Sequence, residues 1–454
     1  MKITVIGAGY VGLVSAACFS DFGYEVTCVD RDSRKIAALE SGKIPIYEQG
    51  LEPVVASNRQ AGRLIFTENL TQAVAQADVV LIAVGTPTRE GEDGADLSYV
   101  YAAGEDIARA MQGYTVIVTK STVPVGTAAK LREIISKARP DGDFDVASNP
   151  EFMREGSAVE DFQRPDRVVI GVSSERAEKV LRQLYRPLTA KNVPLVVASC
   201  EAAEVIKYAA NTFLATRIAF VNQLADLCEK VGADIQDVAR GMGLDKRIGL
   251  QFLNPGPGFG GSCFPKDTRA LAHTARQYGS PFTIVENVIG SNEARKQSLA
   301  ERVQQAVGGN LAGKKVALLG IAFKAETDDI RDAAALTVIP DLQKRGAMIA
   351  AFDPVAMDNG RQAFQSVQWC ADAYSAAIGA DAVVILTEWN VFRGLDLKRL
   401  ARDMREPVMV DFRNLFTMSD VKGSGLTYHS IGRPSVMPPA ETKAEVIPFK
   451  SGAA

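Results

Sequence analysis

Residues 2–30 restrict the possible folds of this chain more than any other stretch. Lys2-Ile3-Thr4-Val5-Ile6 is β-rich, and Gly7-Ala8-Gly9-Tyr10-Val11-Gly12 follows at once. A helical pattern then runs through Phe22, and a second short strand from Glu25 to Val29 ends in Asp30. Strand, G-x-G-x-x-G, helix, strand and acid in that order specify a βαβ unit whose first turn cradles a dinucleotide. Gly7 allows the tight turn, Gly9 lets backbone approach a pyrophosphate, and Gly12 lets the helix pack close to the sheet. The helix N-terminus offers free N–H groups to the phosphates. Asp30 at the strand end accepts hydrogen bonds from ribose hydroxyls and repels a 2′-phosphate, which favours NAD over NADP. Arg31 weakens that preference slightly.

The same stretch imitates a secretory leader, because Ile3 to Ser20 carry no charge and lead past Ser15-Ala16-Ala17-Cys18. A single Lys2 is a poor positive region, and three glycines at fixed spacing interrupt the apolar run, so the strand–turn–helix reading is preferred. No other stretch approaches bilayer-spanning length, and no membrane association is expected. With 51 Lys and Arg against 54 Asp and Glu, the charge is nearly balanced and no long block has one sign, which argues against a nucleic-acid partner. The six cysteines, spread over 454 residues without a C-x-x-C, point to a reducing, cytoplasmic setting. Only two histidines are present. Chemistry is therefore expected from Lys, Cys, Asp, Glu, Asn or Thr, with no metal.

Further strands are expected at Val79–Val84 and Val116–Lys120, closed by Gly85-Thr86-Pro87-Thr88 and Lys120-Ser121-Thr122-Val123-Pro124. Loops at the carboxyl ends of parallel strands bind ligands, which makes Thr86 and Thr122 candidate contacts. From Glu201 to Val231 there is neither Gly nor Pro, and apolar residues cover most of the surface, so one long helix is expected, buried in a core or a subunit interface. Lys207 and Asn211 are four apart on one face of it. A Lys among apolar neighbours is desolvated, which lowers its pKa and suits it to proton transfer or oxyanion stabilisation.

Asn254-Pro255-Gly256-Pro257-Gly258-Phe259-Gly260-Gly261-Ser262-Cys263-Phe264-Pro265-Lys266-Asp267 is the most informative stretch. Pro265 starts a helical run through Tyr278, which places Cys263 at a helix N-terminus, where the dipole lowers a thiol pKa. Lys266 is expected to lower it further, and Asp267 shares the thiol's face. Cys263 thus reads as a nucleophile. In the last third, Gly313 to Gly320 repeats the opening strand, and Met348 to Phe352 followed by Asp353 echoes the strand ending at Asp30. Ala322 and Ala325 replace the second and third glycines, so a second dinucleotide site is not expected. Lys324, Asp328, Asp329, Arg331 and, after a later strand, Arg413 place charge at strand ends, where basic groups suit a pyrophosphate.

The order of these motifs, with Asn149-Pro150-Glu151-Phe152 and Lys207-Tyr208-Ala209-Ala210-Asn211 between them, resembles the UDP-glucose/GDP-mannose dehydrogenase family over nearly the whole chain to about Gly432. The resemblance implies an α/β fold: two doubly wound Rossmann-like domains joined by a long central helix and a helical middle domain. The expected divisions are 1–198 for the cofactor, 199–308 for the helical middle, 309–432 for the nucleotide sugar and 433–454 as a flexible tail.

It also implies a double oxidation of a nucleotide sugar at C6 with two NAD+. Cys263 carries a thiohemiacetal and then a thioester, Lys207 and Asn211 stabilise the oxyanion, and Asp267, Thr122 and Glu151 handle water and protons. Gly7, Gly9, Tyr10, Val11, Gly12, Asp30, Lys35, Thr86, Thr122, Glu155, Lys266 and Arg331 fall on the cofactor side. Phe152, Phe252, Phe259 and Gly260 border the sugar together with Glu151, Lys207 and Asn211, and Lys324 and Arg413 grip the UDP part. Asp245-Lys246-Arg247-Ile248-Gly249 looks like the UDP-glucose branch, in which the Arg enters a neighbouring subunit's site, so a homodimer or larger homo-oligomer is expected. The alternative is the same chemistry on GDP-mannose or UDP-N-acetylmannosamine.

Overall fold

A computed structural model of the chain describes residues 1–89 and 94–438. Two parallel sheets dominate it. The first contains β1 (Lys2–Ile6), β2 (Glu25–Val29), β3 (Leu64–Thr67), β4 (Val79–Ile82), β5 (Thr115–Thr119), β6 (Phe144–Ser148), β7 (Val168–Gly171) and β8 (Leu195–Ala198). Its spatial order is β3-β2-β1-β4-β5-β6-β7-β8, parallel throughout except where β7 meets β6. The second contains β9 (Lys315–Leu319), β10 (Met348–Phe352), β11 (Val367–Trp369), β12 (Ala382–Ile385), β13 (Val408–Asp411) and β14 (Thr427–Ser430), ordered β11-β10-β9-β12-β13-β14. Both sheets reverse direction of growth at their first strand, which opens a crevice beyond the carboxyl ends of β1 and β4 and of β9 and β12. Ligands of doubly wound sheets bind at such switch points.

The central strands β4 and β12 are apolar runs buried on both faces, as expected for strands covered by helices on each side. The first helix, Tyr10–Asp21, is capped by Phe22 and locks onto the short helix Ala158–Gln163 through an edge-to-face contact of Phe19 with Phe162, 5.0 Å between centroids. That contact ties the dinucleotide turn to the loop that follows β6.

Between the sheets runs the helix Cys200–Val231, 32 residues and therefore about 48 Å long. Ser199 caps its start by accepting from the Ala202 N–H, and Gly232 ends it in the left-handed conformation, φ 76°. Its inward face carries small and polar residues: Ala203, Lys207, Asn211, Ala215, Asn222 and Ala225 are buried. Tyr208 and Val221 are buried with them, whereas Phe213 (63%), Phe220 (52%), Leu227 (56%) and Val231 (67%) are exposed in the single chain. Within one chain the helix is therefore buried on one side, with an apolar stripe facing outward. Among the described residues no helix is long and apolar enough to cross a membrane.

The expected flexible tail does not begin at Arg433. Arg433 is buried and donates to the Phe416 carbonyl, and Val436 pairs with Tyr428 through two backbone hydrogen bonds of 2.8 and 3.0 Å. Residues 439–454 of that tail lie outside the described residues.

Candidate active site

Each glycine of the first turn has a distinct steric reason. A Cβ on Gly7, at φ 103°, would lie 2.6 Å from the Ala83 carbonyl oxygen, and one on Gly12 would lie 1.8 Å from the Gly7 oxygen. A Cβ on Gly9 meets nothing within 4 Å. Gly7 and Gly12 are therefore required by the fold, whereas Gly9 borders open space at a helix N-terminus with no side-chain cap. This is a cradle that fits a pyrophosphate. Asp30 accepts from the Ala8 N–H (2.8 Å) and from Lys35 Nζ (3.2 Å) and lies only partly buried at the end of β2, facing the same crevice. Backbone and lysine hydrogen bonds outweigh its desolvation and hold its carboxyl below the usual range. Thr86 donates to the Thr122 carbonyl (3.1 Å), which joins the two loops closing the crevice. Val11 packs half-buried at the start of the helix. Tyr10 turns elsewhere: its hydroxyl donates to Glu48 and accepts from the Gly156 N–H.

The second switch point is filled. Asp353, the counterpart of Asp30, is fully buried and accepts from the N–H groups of Ile321, Ala322, Val355 and Ala356 and from the Trp389 indole. No lone pair is left there for a ribose, consistent with the missing glycines.

Cys263 is the N-cap of the helix Phe264–Gln277, with Pro265 in its first turn, and its carbonyl accepts the first helical bond from Asp267 at 2.8 Å. The preceding loop is clamped from below. Asn222 accepts from Gly256, and Asn292 both accepts from and donates to the backbone of Phe259. Ser262 Oγ lies 3.5 Å from the Cys263 sulfur. The other five cysteines are buried.

Two buried polar pairs flank the thiol. Lys207 Nζ donates to Glu151 Oε1 at 3.0 Å, and Glu151 Oε2 accepts from the Met153 N–H at 2.6 Å. Asn211 Nδ2 donates to Asp267 Oδ2 at 2.6 Å, and Lys266 Nζ holds Asp267 Oδ1 at 2.7 Å. Phe152 places its ring 5.3 Å from Lys207 Nζ. Phe252 and Phe259 both pack on Phe264, at 6.2 and 6.1 Å between centroids, beside the thiol.

Two electrostatic expectations are reversed by these contacts. Burial, which opposes the ammonium of Lys207, is outweighed by Glu151, Cys263 and Asp267, so its pKa rises where a fall was expected. Burial likewise dominates at Cys263 and pushes the thiol up to about 11, although the Lys207 charge pulls it down. Lys266 gives the thiol little help, because its ammonium is turned to Asp267. Glu151 is held below the usual carboxylate range, since Lys207 and the Met153 N–H overcome its desolvation.

Residues from the second sheet complete the site. Glu155 joins three parts of the chain: Oε1 accepts from Ser262 at 2.8 Å, Oε2 from Thr327 at 3.3 Å, and its carbonyl from Lys324. Arg331 binds Asp329 and lies 3.5 Å from Glu155, and its carbonyl accepts from Gly261 at 2.8 Å. A Cβ on Gly260 would lie 2.4 Å from the Asp332 oxygen, so glycine is required for this approach. Arg413 is committed to the Leu386 and Phe323 carbonyls, both at 2.7 Å, and to Glu388. Arg247 is not brought into the site of its own chain. Its side chain is 89% exposed and pairs with Asp245.

Three residues escaped sequence reasoning. Lys120, buried at the end of β5, donates to Asn149 Oδ1 (2.9 Å) and Tyr185 Oη (3.4 Å), and burial pushes its pKa down to about 8. A lysine two residues beyond the apolar run Val116-Ile117-Val118 was the available signal. Glu204, one turn before Lys207, accepts from the Gly126 and Ala128 N–H groups and so braces the loop carrying Thr122. Glu48 does the same for Gly156 and Ala158.

Residues 1–189 match the NAD binding domain of the UDP-glucose/GDP-mannose dehydrogenase family, 201–294 its central domain and 317–418 its UDP binding domain. The chain is 54% identical to a UDP-glucose 6-dehydrogenase of Rhizobium meliloti over 96% of this chain and 100% of that protein. It is 46% identical to the Bacillus subtilis UDP-glucose 6-dehydrogenase TuaD, over 96% of this chain and 94% of that one. Among solved structures, a UDP-glucose dehydrogenase from Pyrobaculum islandicum superposes with a TM-score of 0.88 at 37% identity, covering 95% and 98% of the two chains. With all three domains matched in order, the chain belongs to the UDP-glucose/GDP-mannose dehydrogenase family.

Proposed function

We propose that the chain oxidises C6 of UDP-glucose to the carboxylate of UDP-glucuronate, reducing two NAD+ and consuming one water, through thiohemiacetal and thioester forms of Cys263. The observation that carries this reading is the placement of Cys263 between the Lys207–Glu151 and Asn211–Asp267 pairs. A four-electron oxidation must turn an aldehyde into a hydride donor, and addition of a thiolate does that. The bound nicotinamide supplies the hydride acceptor at each oxidation. Gly9, Asp30, Lys35 and Thr86 hold this cofactor, and Glu155, Lys266 and Arg331 border it.

When the Cys263 sulfur adds to the C6 aldehyde, the carbonyl electron pair moves to oxygen. The Lys207 ammonium and the free N–H of the Asn211 amide stabilise that oxyanion in a site from which water is largely excluded. Thr122, Glu151 and Asp267 hold the water that cleaves the thioester and share its proton. Phe152, Phe252, Phe259 and Gly260 shape the sugar pocket, and Lys324 and Arg413 face the UDP part. In this reading residues 1–198 carry the cofactor, 199–308 the thiol and 309–432 the nucleotide.

The exposed stripe Phe213, Phe220, Leu227 and Val231 supports a homodimer, because an apolar patch of this kind is covered in assembled proteins. Arg247 then reaches the partner's site. Five buried free thiols suit a reducing cytoplasm. The test is stoichiometry: two NADH per UDP-glucose are expected, and one NADH would sink the reading. GDP-mannose and UDP-N-acetylmannosamine, run alongside, should be turned over poorly.

A further inference from the structure

The thiol of Cys263 must lose a proton before it can attack, and its hydrogen-bond partner among the described residues is the Ser262 hydroxyl, not a carboxylate. Both oxygens of Glu151 are bonded, to Lys207 and to the Met153 N–H, and both oxygens of Asp267 are bonded, to Lys266 and Asn211. Glu155 differs. Its Oε1 accepts from the Ser262 hydroxyl at 2.8 Å, and the same hydroxyl oxygen lies 3.5 Å from the Cys263 sulfur. The carboxyl group is largely buried, with a side-chain exposure of 10%.

We propose that Ser262 is the proton bridge by which the Cys263 thiol passes its proton to the Glu155 carboxylate. The S–H bond breaks and its proton goes to Ser262 Oγ, while the proton already on Oγ passes to Glu155 Oε1. The products are a thiolate, an intact serine and a neutral carboxylic acid, with no change of oxidation state. The Ser262 hydroxyl is then free to turn and donate to the thiolate, a charge-assisted hydrogen bond.

Burial favours this route. Losing the proton to solvent would change the net charge of a desolvated cavity, whereas moving it within the cavity leaves that charge constant. The groups facing the thiol are Lys207 from the long helix, Glu151 from the loop after β6, Asp267 from its own helix and Arg331 from the second sheet. Those facing Glu155 are Asp329, Arg331 and Lys324. Desolvation and Asp329 raise the proton affinity of Glu155, as an acceptor requires. Thr327 and Lys324 fix it in place from the second sheet, so the bridge is complete only when both sheets meet at the cysteine loop.

The inference rests on Cys263 as nucleophile, and its test is read without turnover. In the purified full-length chain without substrate, Cys263 is the partly exposed thiol and the other five are buried, so iodoacetamide alkylation reports on it. At pH 8, Ser262→Ala and Glu155→Gln should each slow alkylation about tenfold, because the reactive species is the thiolate. The double variant should be no slower than the slower single one, since both act on one path. The deficit should close as the pH approaches 11, where hydroxide takes the proton directly. Wild-type rates in either variant, a deficit constant with pH, or multiplied defects in the double variant would each overturn the bridge. Turnover by Cys263→Ser would instead remove the nucleophile and leave the alkylation result standing.

Discussion

Lys207 and Glu151 form an ion pair of 3.0 Å whose side chains are only 3% and 6% exposed, although 56 residues separate them in the chain. A pair this deep is there for charge placement, since burial of both ions largely cancels their attraction. Lys207→Met leaves the Glu151 carboxylate buried without its partner, which costs about 3–5 kcal/mol. It also removes an oxyanion donor, which costs about 10²–10³-fold in kcat. The double variant Lys207→Met/Glu151→Gln should regain much of the stability and none of the activity, a split that denaturant melts and NADH assays separate. The sign with pH follows from the lowered Glu151 pKa. Its contribution is present above the ordinary carboxylate range and is lost as the pH falls through the lower folded value.

The two outer glycines and the middle one should fail differently. Gly12→Ala drives a methyl into the Gly7 carbonyl, with a 1.8 Å approach that backbone alone must relieve. Its melting temperature should drop by several degrees with or without NAD. Gly9→Ala meets open space in a backbone conformation alanine accepts, φ −77° and ψ −171°. It should melt like the wild type in the absence of NAD and lose the stabilisation that NAD gives, which is a mass-action effect. An unchanged NAD-dependent shift in Gly9→Ala would contradict the cradle.

Such differences show which parts of the molecule were legible in the chain. The glycine turn and the cysteine helix could be read because their causes are local: steric closeness within a few residues and a proline in a first helical turn. The direction of the Lys207 and Cys263 pKa values could not, because it depends on carboxylates delivered from other elements. Spacing predicted that Lys207 and Asn211 share a face, but not that Glu151 would meet one and Asp267 the other. The long helix shows a related limit. A run of apolar residues does not say which side packs within the chain, and here the interior took mostly small and polar residues, with Tyr208 and Val221 among them. Val436 was misread because one strand-edge bridge to Tyr428 leaves no compositional trace.

If the outward stripe is a dimer seam, one charge in it should separate the subunits. Phe213→Glu or Phe220→Glu places a carboxylate in a face that would be desolvated, and light scattering should then report a monomer. Activity should fall with it, because in the proposed dimer Arg247 serves the partner's site. Mixing inactive Arg247→Ala with inactive Cys263→Ala, after reversible dissociation, should restore about a quarter of wild-type activity, since half the dimers are mixed and each holds one complete site. No recovery would mean that Arg247 serves the site of its own chain.

Lys120 offers the clearest pH signature. Its ammonium is buried between Asn149 and Tyr185, with no carboxylate in hydrogen-bonding contact among the described residues, and its pKa is pushed down to about 8. For a group with a depressed folded pKa, stability is gained as the pH rises through the folded value and is complete above the unfolded one, about 10.4 for lysine. Wild-type stability should therefore receive on the order of 3 kcal/mol from this residue between pH 8 and pH 10.4. Lys120→Met keeps the volume and removes the charge, so the gain should vanish and the variant should be relatively more stable below pH 8. Its kcat should fall, because Lys120 also helps hold Glu151 ionised. Urea melts of both proteins across that range measure the slope directly, and parallel curves would show that Lys120 titrates alike in the folded and unfolded chain.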